Sequence, residues 1–282
     1  MIRLAAALRR VQIGDNAQLS NLFFYEANLH RHLDWRSPLE WIGSPNYWAL
    51  EEDGRMAAAL AFPEDPPNVA WIRLFGYQPH LSAGEAWSAM WGAACGEAFR
   101  ANPQTHIAAI ATKLWFQNLL LANGFQYKQS IVSLEWTPYS APAPRALPQG
   151  VTIRPMRPED VSTAAQIDRS AFGWFWHNSV DCLRRALSAS VYASIAETEE
   201  GAIGYQISTG NARGAHLARL ATLPAAQGRG VGGALIRNMA AVTAAQRISV
   251  NTQHDNESSL ALYKKTGFIE TGEHFPVLTY ST

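Results

Sequence analysis

The stretch Leu217-Ala-Arg-Leu-Ala-Thr-Leu-Pro-Ala-Ala-Gln-Gly-Arg-Gly-Val-Gly-Gly233 has the residue types and spacing that most directly suggest chemistry. A hydrophobic run leads into a turn holding Gly228, Gly230, Gly232 and Gly233, and Val231, Leu235, Met239 and Val242 then keep helical spacing. Glycines at such a turn let successive backbone N–H groups converge on an anion, and the positive end of the helix dipole adds to the attraction. The stretch reads as a phosphate cradle without the lysine of a Walker loop. A dinucleotide fingerprint competes, because Gly228-x-Gly230 fits its first half. It fails at Gly233, which follows Gly232 directly, and no acidic residue closes a second strand about 20 residues on. A glycine-rich helix start with no ligand is the plain alternative. A second cluster, Ala171-Phe-Gly-Trp-Phe-Trp-His-Asn178, could wall an apolar or cationic substrate with Phe172, Trp174, Phe175 and Trp176, or could simply pack. Cys95 and Cys182 stand apart with no CxxC or Cys/His cluster, so no metal centre and no disulfide framework is expected.

These residues need a sheet and helices to hold them. In the second half, strands are expected at Val151–Arg154, Val191–Glu197, Ala202–Ser208, His216–Thr222, Ile248–Thr252 and near Pro276–Tyr280. Helices follow Pro158 through Ile167, follow the glycine turn, and run from about Glu257 to Thr266, where Gly267 stops the last one. The first half repeats this order. Strands are expected near Ile2–Leu8 and at Tyr47–Leu50, Met56–Ala61, Val69–Phe75 and His106–Ala111, with helices at Asn16–Leu29, Gly84–Arg100 and Leu114–Ala122. Gly124-Phe125 matches Gly267-Phe268 at an offset of 143. Between the repeats, Pro138, Pro142, Pro144 and Pro148 mark a linker at 137–150. The expected architecture is therefore α/β, with mixed sheets flanked by helices in two tandem domains, residues 1–136 and 151–282.

Two motifs carry a family resemblance. Gln227-Gly-Arg-Gly-Val-Gly232 is similar to the Q/R-x-x-G-x-G/A pyrophosphate loop of the GNAT superfamily of acyl-CoA-dependent N-acyltransferases. Asn256-Glu-Ser-Ser-Leu-Ala-Leu-Tyr-Lys-Lys-Thr-Gly-Phe268 resembles the N-x-x-(A/S)-x-x-L-Y-x-x-x-G-F segment of the same family, in its ribosomal-protein N-terminal-amine type. The resemblance implies that acetyl-CoA lies between two splayed parallel strands, His216–Thr222 and Ile248–Thr252. Leu220, Ala221 and Thr222 would lie along the pantetheine arm, and Gln227, Gly228, Arg229, Gly230, Val231, Gly232 and Gly233 would cradle the pyrophosphate. Asn256 would be a cofactor-side contact and also stands where a helix N-cap belongs. The reaction implied is aminolysis of a thioester by direct attack, with no metal. Tyr263 stands at the family's position for the acid that protonates the departing thiolate, and a phenol near pKa 10 is close to a thiol near 8.5. A half-buried tyrosine packing on the sheet would look the same in sequence.

The general base departs from the family pattern. Asn251 stands where the N-terminal-amine type carries a glutamate, and an amide takes no proton at neutral pH. Histone-type members place a glutamate eleven residues before the glutamine, which here is His216. A histidine accepts a proton near neutrality, and simple alternation would set His216 on the face of Ala218, Leu220 and Thr222. His177 and His254 are further candidates, a water chain would replace all three, and a solvent-facing histidine is the bland alternative. In the family the acceptor pocket forms where Phe172, Trp174, Phe175, Trp176 and His177 lie, with Asn251 beside it.

At the same offset the glycine loop maps to Gly84-Glu-Ala-Trp-Ser-Ala89, Tyr263 to Leu120 and Asn256 to Lys113. Glu85 would repel a pyrophosphate and Trp87 would fill its space, so residues 1–136 read as a degenerate repeat that does not hold acetyl-CoA. The chain's 282 residues carry 23 Lys and Arg against 23 Asp and Glu, and neither half has the basic footprint of a nucleic-acid binder. Eight of the ten tryptophans precede residue 140, which fits a first repeat that has exchanged cofactor binding for packing. No apolar run approaches the roughly 18 residues of a membrane span, so a cytoplasmic protein without nucleic-acid or membrane partners is expected. The acceptor would be a small-molecule amine or a peptide, and no feature fixes an oligomeric state. An acyl-CoA-binding module without turnover is the alternative function.

Overall fold

The computed structural model describes residues 6–140, 146–211 and 214–281. The first repeat runs β1 (Ala7–Arg10), α1 (Asn16–Phe23), β2 (Leu29–Arg31), β3 (Tyr47–Glu52), β4 (Arg55–Ala61), β5 (Val69–Trp71), β6 (Leu74–Tyr77), α2 (Ala83–Ala101), β7 (His106–Ile110), α3 (Leu114–Ala122) and β8 (Gln126–Trp136). The second runs β9 (Thr152–Pro155), α4 (Val161–Trp176), α5 (Val180–Ser188), β10 (Tyr192–Thr198), β11 (Gly201–Asn211), β12 (Gly214–Thr222), α6 (Val231–Thr243), β13 (Ile248–Gln253), α7 (Glu257–Lys265) and β14 (Ile269–Tyr280). The mixed α/β architecture expected from the sequence is the one observed. The start of the strand expected near Ile2 and the middle of the linker, residues 141–145, lie outside the described residues.

The chain forms two compact units whose limits differ from the expected domain boundary. One comprises the described residues up to Lys128 together with those from Phe275 onward, and the other is Gln129–His274. Each unit thus takes its closing strand from the other half of the sequence. In the first, Val277–Tyr280 of β14 pairs antiparallel with β7; in the second, Ile131–Trp136 of β8 pairs antiparallel with β13. The proline-rich stretch still separates the repeats along the chain, but strand pairing rather than linker composition decides which residues form a body.

In the first unit, one sheet has the order β1-β3-β4-β6-β2, and β5 pairs parallel with β7. The single strand expected at Val69–Phe75 is broken at Ile72–Arg73 into β5 and β6. The helix expected through Leu29 ends at Phe23, and β2 follows, paired antiparallel with β6 through Leu29↔Gly76, His30↔Phe75 and Arg31↔Leu74. The core holds Phe75, Trp87, Trp91, Phe116 and Phe125, with Trp87 stacked on Trp91 and set edge-on to Phe75.

In the second unit the sheet order is β8-β13-β12-β11-β10-β9, with the start of β14 beside β8. Helix α6 packs over β10, β11 and β12, while α4 packs against β11 and β12. Strands β12 and β13 pair in parallel only at Ala215↔Ile248, His216↔Ser249 and Leu217↔Val250, although β12 runs on to Thr222 and β13 to Gln253. Beyond those three pairs they diverge. The register between β11 and β12 slips at the same point, from Ser208↔Leu217 to Ile207↔Arg219, leaving Ala218 as the extra residue of a bulge.

Candidate functional site

The bulge corrects the expected alternation along β12. Cross-strand partners share a face, so Leu217, Leu220 and Thr222 lie with Ser208, Gln206 and Gly204. His216, Arg219 and Ala221 lie with Thr209, Ile207 and Tyr205 on the opposite face. One inserted residue therefore separates His216 from Leu220 and Thr222, which simple alternation would have joined. The parallel pairing with β13 adds Ser249, and two residues on Asn251, to the face of His216.

The glycines of the turn have different jobs. Gly228 and Gly230 have φ of +74° and +85°, and Gly230 is the left-handed N-cap of α6. A Cβ would be strained there, so these two shape the turn. A Cβ on Gly232 would stand 3.0 Å from Leu262 Cδ2, and one on Gly233 would stand 3.6 Å from Thr266 Cγ2. Gly232 thus serves the close approach of α6 to α7, whereas Gly233 would meet Thr266 at ordinary contact distance. No side chain caps α6, and among the described residues no protein acceptor takes the N–H groups of residues 228–233. Unsatisfied donors at a helix N-terminus make an anion site. Gln227 turns inward instead: its N–H donates to Pro224 O at 3.2 Å and its Nε2 to Thr222 O at 3.3 Å, bracing the turn against the strand end.

Tyr263 lies in α7, packed in the core with Leu217, Val250 and Phe268, and no protein group bonds its hydroxyl among the described residues. Burial pushes its pKa well above that of an ordinary phenol, against a smaller downward pull from Arg219. Asn256 is the N-cap of α7: its Oδ1 accepts from Ser259 N at 3.1 Å and Ser258 Oγ at 3.0 Å, and its Nδ2 donates to Gln253 at 3.3 Å. The amide is committed to the cap.

His216 Nδ1 stands 2.9 Å from Ser249 Oγ, and burial lowers the pKa of the ring. Asn251 Oδ1 accepts from Ser133 Oγ of β8 at 2.9 Å. His254 is tied to Ser130, with its N donating to Ser130 O at 2.9 Å and its Nδ1 accepting from Ser130 N at 3.1 Å. His177 Nδ1 sits 2.9 Å from Gly173 O.

The aromatic cluster forms the last turns of α4, kinked at Gly173 with φ +68°. Phe175 is buried in the unit, and the Arg219 guanidinium stands over the ring of the partly exposed Phe172, 3.6 Å from its centroid. Trp174 is half exposed and Trp176 partly so.

A buried network missed by sequence reasoning joins α4 to the bulge. Asp168, wholly buried, accepts Arg219 Nε at 2.6 Å and Nη2 at 2.8 Å, Asn178 N at 2.6 Å, and the Tyr205 hydroxyl. Arg219 Nη2 also donates to Trp176 O at 2.7 Å. A bidentate pair with every remaining lone pair engaged is the form in which a buried ion pair holds geometry. It fixes the kinked end of α4 and the start of α5 to β12 where that strand leaves β13. The sequence did carry a signal: Asp168 falls on the stripe of Val161, Ala164 and Ile167, an acid on an apolar helix face.

Residues 189–270 match the family model described as acetyltransferase (GNAT) domain. The chain's fold is that of tandem GNAT proteins. The chain is 14% identical to the tandem GNAT protein from the clavulanic acid biosynthesis pathway, with a TM-score of 0.65 over 98% of each chain. It is 14% identical to a GCN5-related N-acetyltransferase from Sphaerobacter thermophilus, with a TM-score of 0.64 over 98% of this chain and 95% of that one. A conserved protein of Enterococcus faecalis V583 is 11% identical, with a TM-score of 0.74 over 98% of this chain and 72% of that one. No curated protein matches the chain in sequence. No helix among the described residues is long and apolar enough to cross a membrane.

Proposed function

We propose that the second unit transfers an acetyl group from acetyl-CoA to a primary amine of a small molecule or peptide by direct attack. The uncapped glycine N-terminus of α6 beside two diverging strands is the observation that carries this reading. The amides of residues 228–233 are free to bind a pyrophosphate, and the β12 edge along Leu220, Ala221 and Thr222 has no strand on its β13 side. That edge would take the amides of the pantetheine arm. In the transfer, the amine nitrogen forms a C–N bond at the thioester carbonyl, the C–S bond breaks, and the sulfur leaves with the electron pair. Tyr263, kept protonated by burial, would donate to that sulfur. The same dry surroundings would raise the pKa of the thiol, so acid and leaving group stay matched despite the shift. His216, kept neutral by burial, would take the proton from the amine.

The test is CoA release with tyramine, spermidine and a peptide bearing a free N-terminus, for the parent, Tyr263→Phe and His216→Gln. Loss of turnover of about 10²-fold or more is expected for each variant on an accepted amine; parental rates in both would remove their roles. The second reading is an acyl-CoA-binding module without turnover, favoured by an amide, Asn251, at the strand position of the expected carboxylate. One tight CoA site with no acceptor in the panel would support it.

A further inference from the structure

The proton acceptor proposed for the site has an orienting partner that the sequence did not suggest. His216 and Ser249 are the middle pair of the short parallel ladder that ends where β12 and β13 diverge. The ring is fixed on one side only: Nδ1 is 2.9 Å from Ser249 Oγ, and no described protein group bonds Nε2. Nε2 is not sealed in either, since it is absent from the buried unpaired atoms of the structure. Ser249 Oγ can accept a hydrogen bond from Nδ1, and among the described residues it is the ring's hydrogen-bond partner. A neutral imidazole protonated at Nδ1 has its lone pair at Nε2.

We infer that Ser249 is a positioning residue that holds His216 in the Nδ1–H tautomer, turning the Nε2 lone pair toward the face shared with Asn251 and Arg219. This rests on the acetyl-transfer reading for its purpose, but not for its geometry. An unoriented imidazole would divide between tautomers, and only the Nε2 lone pair is accessible for taking a proton from an amine. The hydroxyl therefore sets the fraction of molecules ready to react. It touches neither substrate nor reacting atoms.

The full chain labelled with ¹⁵N-histidine gives the first measurement, with the His216 signals assigned by their loss in His216→Gln. Long-range ¹H–¹⁵N spectra at pH 7.5 are expected to show Nδ1–H in the parent and in Ser249→Thr, and a shift toward Nε2–H in Ser249→Ala. Carbethoxylation of His216 by diethyl pyrocarbonate, followed by peptide mass spectrometry, is expected to slow several-fold in Ser249→Ala and to recover in Ser249→Thr. An Nε2–H ring in the parent, or a tautomer indifferent to Ser249→Ala, overturns the inference. On an amine that the parent acetylates, Ser249→Ala should lower kcat at least 10-fold while the KM for acetyl-CoA stays within 2-fold. An unchanged kcat there would overturn the role. A parent that does not bind CoA would instead defeat the acetyl-transfer reading and leave the tautomer result standing.

Discussion

Two helix N-termini at corresponding places in the repeats have opposite fates. At α6, Gly230 supplies no cap and, among the described residues, the amides of 228–233 have no protein acceptor. At α2, Ser82 and Glu85 form a capping box: Ser82 Oγ accepts from Glu85 N at 3.2 Å, and Glu85 Oε2 accepts from Ser82 N at 2.8 Å. The chain's own carboxylate sits where an anion would bind, which is more specific than the repulsion expected of Glu85. Trp87 does not fill phosphate space as expected but lies wholly buried in the core. The neighbouring strands contrast in the same way. The β12 edge is open from the bulge onward, whereas β6, which the offset of 143 equates with residues 217–220, carries β2. His30 of β2 stacks on Phe116 with centroids 3.9 Å apart and reaches Ile72 O with Nε2 at 3.1 Å. One repeat has closed with its own chain the helix N-terminus and the strand edge that the other leaves open.

The comparison can be broken at its strongest support. If Asp168 and Arg219 hold the open strands in place, Asp168→Ala strands a buried guanidinium and should cost about 3–5 kcal/mol, read by urea unfolding. A loss under 1 kcal/mol would mean the pair holds nothing. Next comes acid. His30 is wholly buried and its pKa falls to about 3, chiefly through burial, against about 6.5 unfolded. Between those values the unfolded chain binds the extra proton, so stability is full above pH 6.5 and falls by up to about 1.4 kcal/mol per pH unit below it. At pH 5 the loss should reach about 2 kcal/mol, and His30→Gln should flatten that slope.

Gly230→Val sharpens the contrast at α6. A β-branched residue at φ +85° should cost roughly 1–2 kcal/mol and weaken CoA binding at least 10-fold by calorimetry. The smallest effect belongs to the closed end: Ser82→Ala should cost about 1 kcal/mol and leave CoA stoichiometry at one per chain. A second site appearing there would refute the view that the first repeat is filled.

Much of this was legible in the sequence because it depends on local residue types. The turn around Gly228 and Gly230, the cap at Asn256 and the helix of Tyr263 follow from spacing within about forty residues. The bulge at Ala218 did not, because it is a register relation with β11 and leaves no composition of its own. Strand β2 escaped for a similar reason: Leu29, His30 and Arg31 become a strand only because β6 offers an unpaired edge. Asp168 was readable as an acid on an apolar stripe, but its partner Arg219 lies 51 residues away, and only the fold makes them neighbours.

The exchange of closing strands also has a meaning in time. Ile110 of β7 pairs with Val277, 167 residues later, and at roughly 5–20 residues per second a ribosome needs about ten to thirty seconds to make the intervening chain. The first repeat is synthesised first but finished last. Throughout that interval β7 has an unsatisfied edge beside the most aromatic part of the molecule. The growing chain is therefore most exposed to aggregation before its second repeat has been made, and a chaperone or slow translation would matter most there.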